Sequence, residues 1–327
     1  MAGITGQGTT FNLPNFVGEL FAVSREDTPF LSAIGGLTGG RAANATLFQW
    51  STYDLRAPEA TRQRVEGAPA PTAEERVRGN VYNVVEIHQE SVEVSYSKLA
   101  AVGQYAATGG HTAQAGIDGT NAVLDEMDWQ VEQALKQVAR DVNLSFIVGT
   151  FANPATNATA RKTRGLLEAI TTNAIDGAGT ADLADPNSDL LGDLMQDVWD
   201  SGGIRENQTR TLLTNSTQKR KLTQRYITGA NYRETSRNIG GVNVTSIETD
   251  FGTLNIMLEP AMPQDQIVVV SLEECAPRFL PIPGKGFLFV EPLAKTGASD
   301  KSQIYGEIGL EYGVESHHGK YIGLATS

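Results

Sequence analysis

Four histidines, a single cysteine and a scatter of acids are the residues from which this chain could build catalysis or a metal site. His88 and His111 are isolated in the sequence, and none of the four has the spacing of a ligand pair on one helix or strand face. His317 and His318 are adjacent at a turn before Gly319; neighbours on a strand face opposite ways, so the pair is not expected to chelate one ion. Cys275 stands alone, which rules out an internal disulfide framework and any cysteine–histidine frame. The GKG at 284–286 lacks the leading glycine and trailing Ser/Thr of a phosphate-cradling loop, and the glycine-rich stretch at 35–41 has neither a strand before it nor a long helix after it. No G-x-S-x-G elbow and no H-E-x-x-H occur. Asp193, Asp197 and Asp200 fall at helical spacing, the pattern of a solvated face. Arg161, Lys162 and Arg164 form a small basic cluster beside Gly165 that suits ion pairs better than a phosphate site. The expectation is a protein that is not an enzyme and holds no cofactor and no metal.

The charge that remains is concentrated in one place. Between strand-like runs starting at Thr46 and Val81 lies a long loop, 54–80, carrying Arg56, Arg62, Arg64, Arg76 and Arg78 against Asp54, Glu59, Glu66, Glu74 and Glu75. That balance sits inside a chain of net charge −12. APAPT at 68–72 stiffens the loop toward an extended form. A neutral, stiff, charge-rich arm suits a contact with a neighbouring subunit, because arginine forks pair well with carboxylates across an interface. Arg56, Arg62, Arg64, Glu66, Glu74, Glu75, Arg76 and Arg78 are the candidate contact residues. The bland alternative is a solvated surface loop.

The elements that must position this arm follow from periodicity. Apolar residues at Leu124, Met127, Val131, Leu135, Val138, Val142 and Phe146 hold one helical face across 118–149, with Gly149 as the stop and Asp118, Thr120 or Asn121 as candidate caps. At ~1.5 Å per residue the rod would span roughly 40–45 Å, long for a globular helix. No second helix of that length exists to pair with it. Short helices are expected at 27–36, where Asp27 or Thr28 would cap, at 187–201 and at 216–227. Strands are expected at 46–55, 81–96, 209–214, 242–249, 253–259, 266–272, 287–290 and, in alternation, within 301–324. In 81–96 the alternation slips by one residue, which places a bulge near 88–91.

Composition bounds the class. With 327 residues and 40% hydrophobic content the chain can bury one large core or two smaller ones, and 34 glycines and 13 prolines imply many turns. The negative charge argues against a dedicated nucleic-acid reader. No apolar run reaches membrane-spanning length, the N-terminal stretch lacks the features of a signal peptide, and no internal repeat is present.

Read in order, these parts are an N-terminal arm, a long charged two-stranded loop, one spine helix, a compact α+β block and returning strands. That order, with TTFNLPNFVGELFAVSREDTPFLSAIGG at 9–36, YDLRAPEATRQRVEGA at 53–68, MDWQ at 127–130, ARDVN at 139–143 and ARKTRGLLEAI at 160–170, resembles the major capsid proteins of tailed bacteriophages. The implied fold is of the Hong Kong 97 type, and the strings resemble a family common in phages of actinobacteria. The resemblance implies an α+β chain divided into an N-terminal arm with a short helix (1–44), an extended β loop (45–97), a peripheral domain with the spine helix (98–164 with part of 298–327) and an axial domain (165–297). It implies a homo-oligomer of hexamers and pentamers forming an icosahedral virion shell around double-stranded DNA, without sequence-specific binding and without a membrane. Portal and decoration proteins are implied partners, and assembly is expected in the host cytoplasm.

Two features depart from the family's pattern. Only a short arm precedes Glu19 where some relatives carry a fused scaffolding segment, so a separate scaffold, or none, is expected. The first lysine is Lys98, beyond the extended loop, so the lysine cross-link of the type member is not expected. The alternatives are an encapsulin-like compartment shell and, in another class, a soluble cytosolic hydrolase.

Overall fold

In a computed structural model, residues 27–101, 126–204, 210–225 and 246–326 are described. The expected N-terminal arm before Asp27, the start of the spine helix with Leu124 and its candidate caps, and the end of the 216–227 helix lie outside those residues. The described residues form two units, one of 90–101, 126–136 and 290–304, the other of 27–89, 137–204, 210–225, 246–289 and 305–326.

The larger unit begins with α1 (Pro29–Ala33), whose proline occupies the first turn, where its missing N–H costs nothing. Thr28 makes no side-chain cap. The free N–H groups are met from far away in sequence instead: Phe30 donates to Glu259 Oε2 at 2.9 Å and Leu31 to Asn143 Oδ1 at 3.0 Å. Gly35 and Gly36 close the helix with positive φ, as expected. Then β1 (Arg41–Ala42) pairs in parallel with β10 (Ala276–Phe279), which pairs antiparallel with the end of β12 (Ser299–Glu311).

β2 (Leu47–Tyr53) and β3 (Arg78–Val84) form a two-stranded hairpin, and β4 (Glu86–Ser95) follows directly. The slip in alternation falls at Val85, between β3 and β4, and not at 88–91. Asn83, Val84, Val85 and Glu86 are buried in succession, after which Ile87 is exposed and the even-numbered residues turn inward. The backbone break removes one residue from the ladder and so reverses every following side chain. In the smaller unit β4 ends beside β12 and β11 (Leu288–Pro292): Ser299 Oγ donates to Glu93 at 2.6 Å, Leu293 N–H to Lys301 O at 2.9 Å, and Tyr96, at the start of α2 (Tyr96–Ala101), to Ala298 O at 3.1 Å.

The spine helix, α3, is continuous over Glu126–Val148. Its buried face carries Ala134, Val138, Val142, Asn143, Phe146 and Ile147, with Met127, Val131 and Leu135 half-buried. It stops at Gly149, where a Cβ would lie 2.3 Å from Ser145 O and 2.7 Å from Thr163 O, a backbone approach that only glycine allows.

After α4 (Leu166–Ala169) comes a six-stranded sheet of order β5-β13-β9-β6-β8-β7. Its strands are β5 (Ala174–Ala181), β6 (Arg210–Thr214), β7 (Ser246–Thr249), β8 (Gly252–Leu258), β9 (Ile267–Val270) and β13 (Gly319–Leu324). α5 (Leu190–Asp200) and α6 (Ser216–Thr223) contribute Leu190, Leu191, Leu194, Met195, Val198 and Leu222 to one core with Leu212, Leu254, Ile267 and Val269 of the sheet. Asn215 caps α6 by accepting from Gln218 N–H, and Gly202, at φ 79°, ends α5 with Gly203 N–H donating to Val198 O. β5 and β10 were not legible as strands. β5 reads AIDGAGTA, a composition with little strand preference, and it is held by parallel pairing with β13.

Candidate functional site

The β2–β3 hairpin is paired residue by residue from Leu47↔Val84 to Tyr53↔Arg78, and 54–77 extends beyond it without regular structure. Tyr53, Leu55, Val65 and Val77 are 76%, 69%, 80% and 70% exposed. Four of the eight candidate contact residues come together inside the loop. Glu74 accepts from Arg62 and from Arg76 Nη2 at 3.3 Å, and Arg56 Nε lies 3.5 Å from it; Arg62 Nε also donates to Glu59 at 3.1 Å. Desolvation pushes the Glu74 carboxyl up, but Arg62, Arg76 and Arg56 together prevail and hold it below the usual range. Arg64, Glu66, Glu75 and Arg78 are exposed, and among the described residues their side chains make no ion pair. The sequence count of opposite charges was right, but it held no signal that Glu74 gathers three arginines across the loop.

The root of the hairpin is built from buried polar groups. Asn83 Nδ2 donates to Leu310 O at 2.7 Å and Arg164 O at 3.1 Å, while its Oδ1 accepts from Arg164 N–H at 2.8 Å and Val84 N–H at 2.9 Å. Every polar position of that amide is used. Glu86 accepts from Thr163 N–H at 3.0 Å, from His88 Nε2 at 2.8 Å and from the Ser145 hydroxyl. Burial pushes Glu86 up, but those donors prevail and hold its carboxyl below the usual range. Arg164 of the expected basic cluster lies over the rings of Phe151 at 4.5 Å and Tyr82 at 5.6 Å and donates to Tyr312 Oη at 3.2 Å; Arg161 pairs with Glu307 at 2.8 Å. On the opposite strand Trp50 Nε1 donates to Gly313 O at 2.7 Å, and its ring meets the Tyr312 ring edge-on at 5.0 Å.

Ser145, Glu86 and His88 have the residue types of a nucleophilic triad but the wrong order. Acyl transfer needs the imidazole to take the serine proton, whereas here serine and imidazole both donate to the carboxylate between them. The cluster is a clasp holding β4 to the 163 segment. His317 and His318 diverge as expected. His317 Nδ1 bonds Glu274 at 2.7 Å; His318 Nδ1 accepts from Ser271 N–H at 3.2 Å and its Nε2 donates to Tyr312 O at 2.7 Å. Among the described residues no group of His, Cys, Asp and Glu could hold a metal ion, and burial pushes the Cys275 thiol up, away from a reactive thiolate.

Burial holds His318 neutral, below its ordinary value of 6.5. The native state therefore binds fewer protons than the unfolded state just below that pH. Its contribution to stability is complete above pH 6.5 and is lost as pH falls below it. The unfolding temperature of the subunit should accordingly drop between pH 7 and pH 5, and a His318→Asn variant, measured by scanning calorimetry over the same buffers, should show a shallower drop. Equal slopes would contradict this assignment.

The described architecture is similar to solved shells. It superposes on the cyanophage A-1(L) capsid with a TM-score of 0.63 at 13% identity, covering 98% of this chain and 99% of that one. The structure of Microbacterium phage Oxtober96 gives 0.57 at 12% identity over 95% of each chain. The holo-SrpI encapsulin complex from Synechococcus elongatus PCC 7942 gives 0.55 at 10% identity, covering 97% of this chain and 93% of that one. These likenesses define the fold, which is of the Hong Kong 97 type. The family is then set by sequence: residues 3–325 match the SU10 major capsid protein model, and the chain belongs to that family. No curated protein matches the chain.

Proposed function

We propose that this capsid protein assembles as hexamers and pentamers into an icosahedral shell around the double-stranded DNA of a tailed phage. Assembly takes place in the host cytoplasm, with portal and decoration proteins as partners. The carrying observation is the arm: a hairpin whose outer half and loop expose Tyr53, Leu55, Val65 and Val77, apolar surface that a lone subunit leaves in water. A second copy of the chain is the occupant that family membership supports. Arg64, Glu66, Glu75 and Arg78 are then the charges for the neighbour, while Arg56, Arg62, Glu74 and Arg76 brace the loop. The division into 1–44, 45–97, 98–164 with part of 298–327, and 165–297 belongs to the same proposal. The net charge of −12 suits a container whose wall does not hold its DNA. The capsid family implies a structural role, and the reversed order of Ser145, Glu86 and His88 supports it over hydrolysis.

The likeness to an encapsulin sustains a second reading, a compartment loaded with protein. Sedimentation of particles from infected or expressing cells, followed by nuclease treatment, separates the two: protected double-stranded DNA supports the virion and co-purifying protein cargo the compartment. The loop 54–77 contains no lysine, so particles boiled in detergent should run wholly as single chains. A ladder of multimers persisting under reduction would contradict non-covalent assembly.

A further inference from the structure

The two strands of the arm are gripped by one chain of contacts at the same level. Trp50 of β2 faces Val81 of β3 across the ladder, one residue from Tyr82. Trp50 holds Tyr312 and Gly313; the Tyr312 hydroxyl accepts from Arg164; Arg164 lies over the rings of both Tyr82 and Phe151, which also meet edge-on at 5.7 Å. Arg164 closes the circuit from one strand to the other. Burial raises the Tyr312 phenol above its ordinary value, so it stays a neutral acceptor for the guanidinium. Tyr82 is 43% exposed and belongs to no buried core cluster.

We propose that Arg164 is a positioning residue for shell assembly: by clamping β2 and β3 together against 151 and 312, it fixes the direction in which the arm leaves the subunit. The inference rests on the shell reading above. Leverage is the reason it matters. From the Trp50–Val81 level three further pairs reach roughly 10 Å, so a tilt of about 10° there displaces the hairpin's end by about 2 Å, and the loop beyond it by more. A hydrogen bond is lost within about 0.5 Å, so contacts at the far end register on a neighbour only if the root is stiff. Arginine suits the task because its delocalised guanidinium can lie against aromatic rings while its edge donates to a third group, which an ammonium does not reproduce.

Arg164→Met and Tyr82→Leu test it, with Arg164→Lys as the conservative variant. In unassembled subunits, hydrogen exchange at 47–53 and 78–84 should quicken in the first two by roughly 5- to 30-fold and less in the lysine variant, while the unfolding temperature stays near the parent's. Under assembly conditions the same two should give open or mixed-size particles in place of a uniform population. Uniform shells at the parent's yield from Arg164→Met, or unchanged exchange in the hairpin, would overturn the proposal. A fall in subunit stability from Arg164→Met, with Tyr82→Leu assembling normally, would overturn it too, by showing a purely structural role. If the parent itself forms no shell, the shell reading fails, and hydrogen exchange in free subunits still decides the clamp.

Discussion

Replacing Glu259 by alanine should lower the unfolding temperature of the unassembled subunit by about 4–7 °C. Glu259 is only 1% exposed and follows β8 directly. Its Oε2 accepts from Phe30 N–H, and its Oε1 from Asn143 Nδ2 at 2.8 Å and Ala261 N–H at 3.1 Å. Asn143 in turn accepts from Leu31 N–H, so one carboxylate and one amide satisfy the start of α1, a turn of α3 and the end of β8. Removing the carboxylate leaves buried donors unpaired at about 1–3 kcal/mol each, or about 3–5 kcal/mol together. Glu259→Gln keeps the shape and one acceptor, and should cost less than half as much. Calorimetry on monomeric protein at pH 7 reads the effect. A shift within about 2 °C for the alanine variant would show that the node is solvated or dispensable.

Cutting the arm should do the opposite, abolishing assembly while sparing the subunit. Because Tyr53 pairs directly with Arg78, an Asn-Gly turn in place of 54–77 closes the hairpin in register with a two-residue loop. No buried residue is lost, since only Ala68 within that stretch is so much as partly covered. The shortened subunit should therefore unfold within about 2 °C of the parent. What disappears is the surface available for burial on a neighbour. Covering even two of Leu55, Val65 and Val77 is worth about 3 kcal/mol or more per subunit, so the yield of shells should fall at least ~100-fold. Light scattering during assembly measures it, and shells formed at parental yield would show that the arm is decoration.

Much of this fold was legible in the sequence where periodicity is strong. The spine helix announced itself through Val131, Val138, Val142 and Phe146, and Gly149 ended it where expected. The charged loop was found by counting charge. Reading failed where tertiary partners decide. Asn143 and Glu259 look like ordinary polar punctuation, and only the fold brings the two side chains within 2.8 Å. The slip in alternation is expected at 88–91 from the sequence; the four buried residues at 83–86 move it to Val85 and turn Glu86 inward. Asp27 and Thr28 were reasonable caps for α1, but distant side chains took that role. Of the basic cluster at 161–164, the sequence suggested ion pairing. That describes Arg161, whereas Arg164 found aromatic rings that no local pattern discloses.

Electron cryomicroscopy of particles purified from cells making this protein tests the central claim most directly. The account predicts a closed icosahedral shell of hexamers and pentamers in which each 54–77 loop lies over a neighbouring subunit, with Leu55, Val65 and Val77 covered and Arg64 and Arg78 beside its acidic groups. Monomers that never close into a shell, or a shell in which each loop folds back on its own subunit, would contradict it.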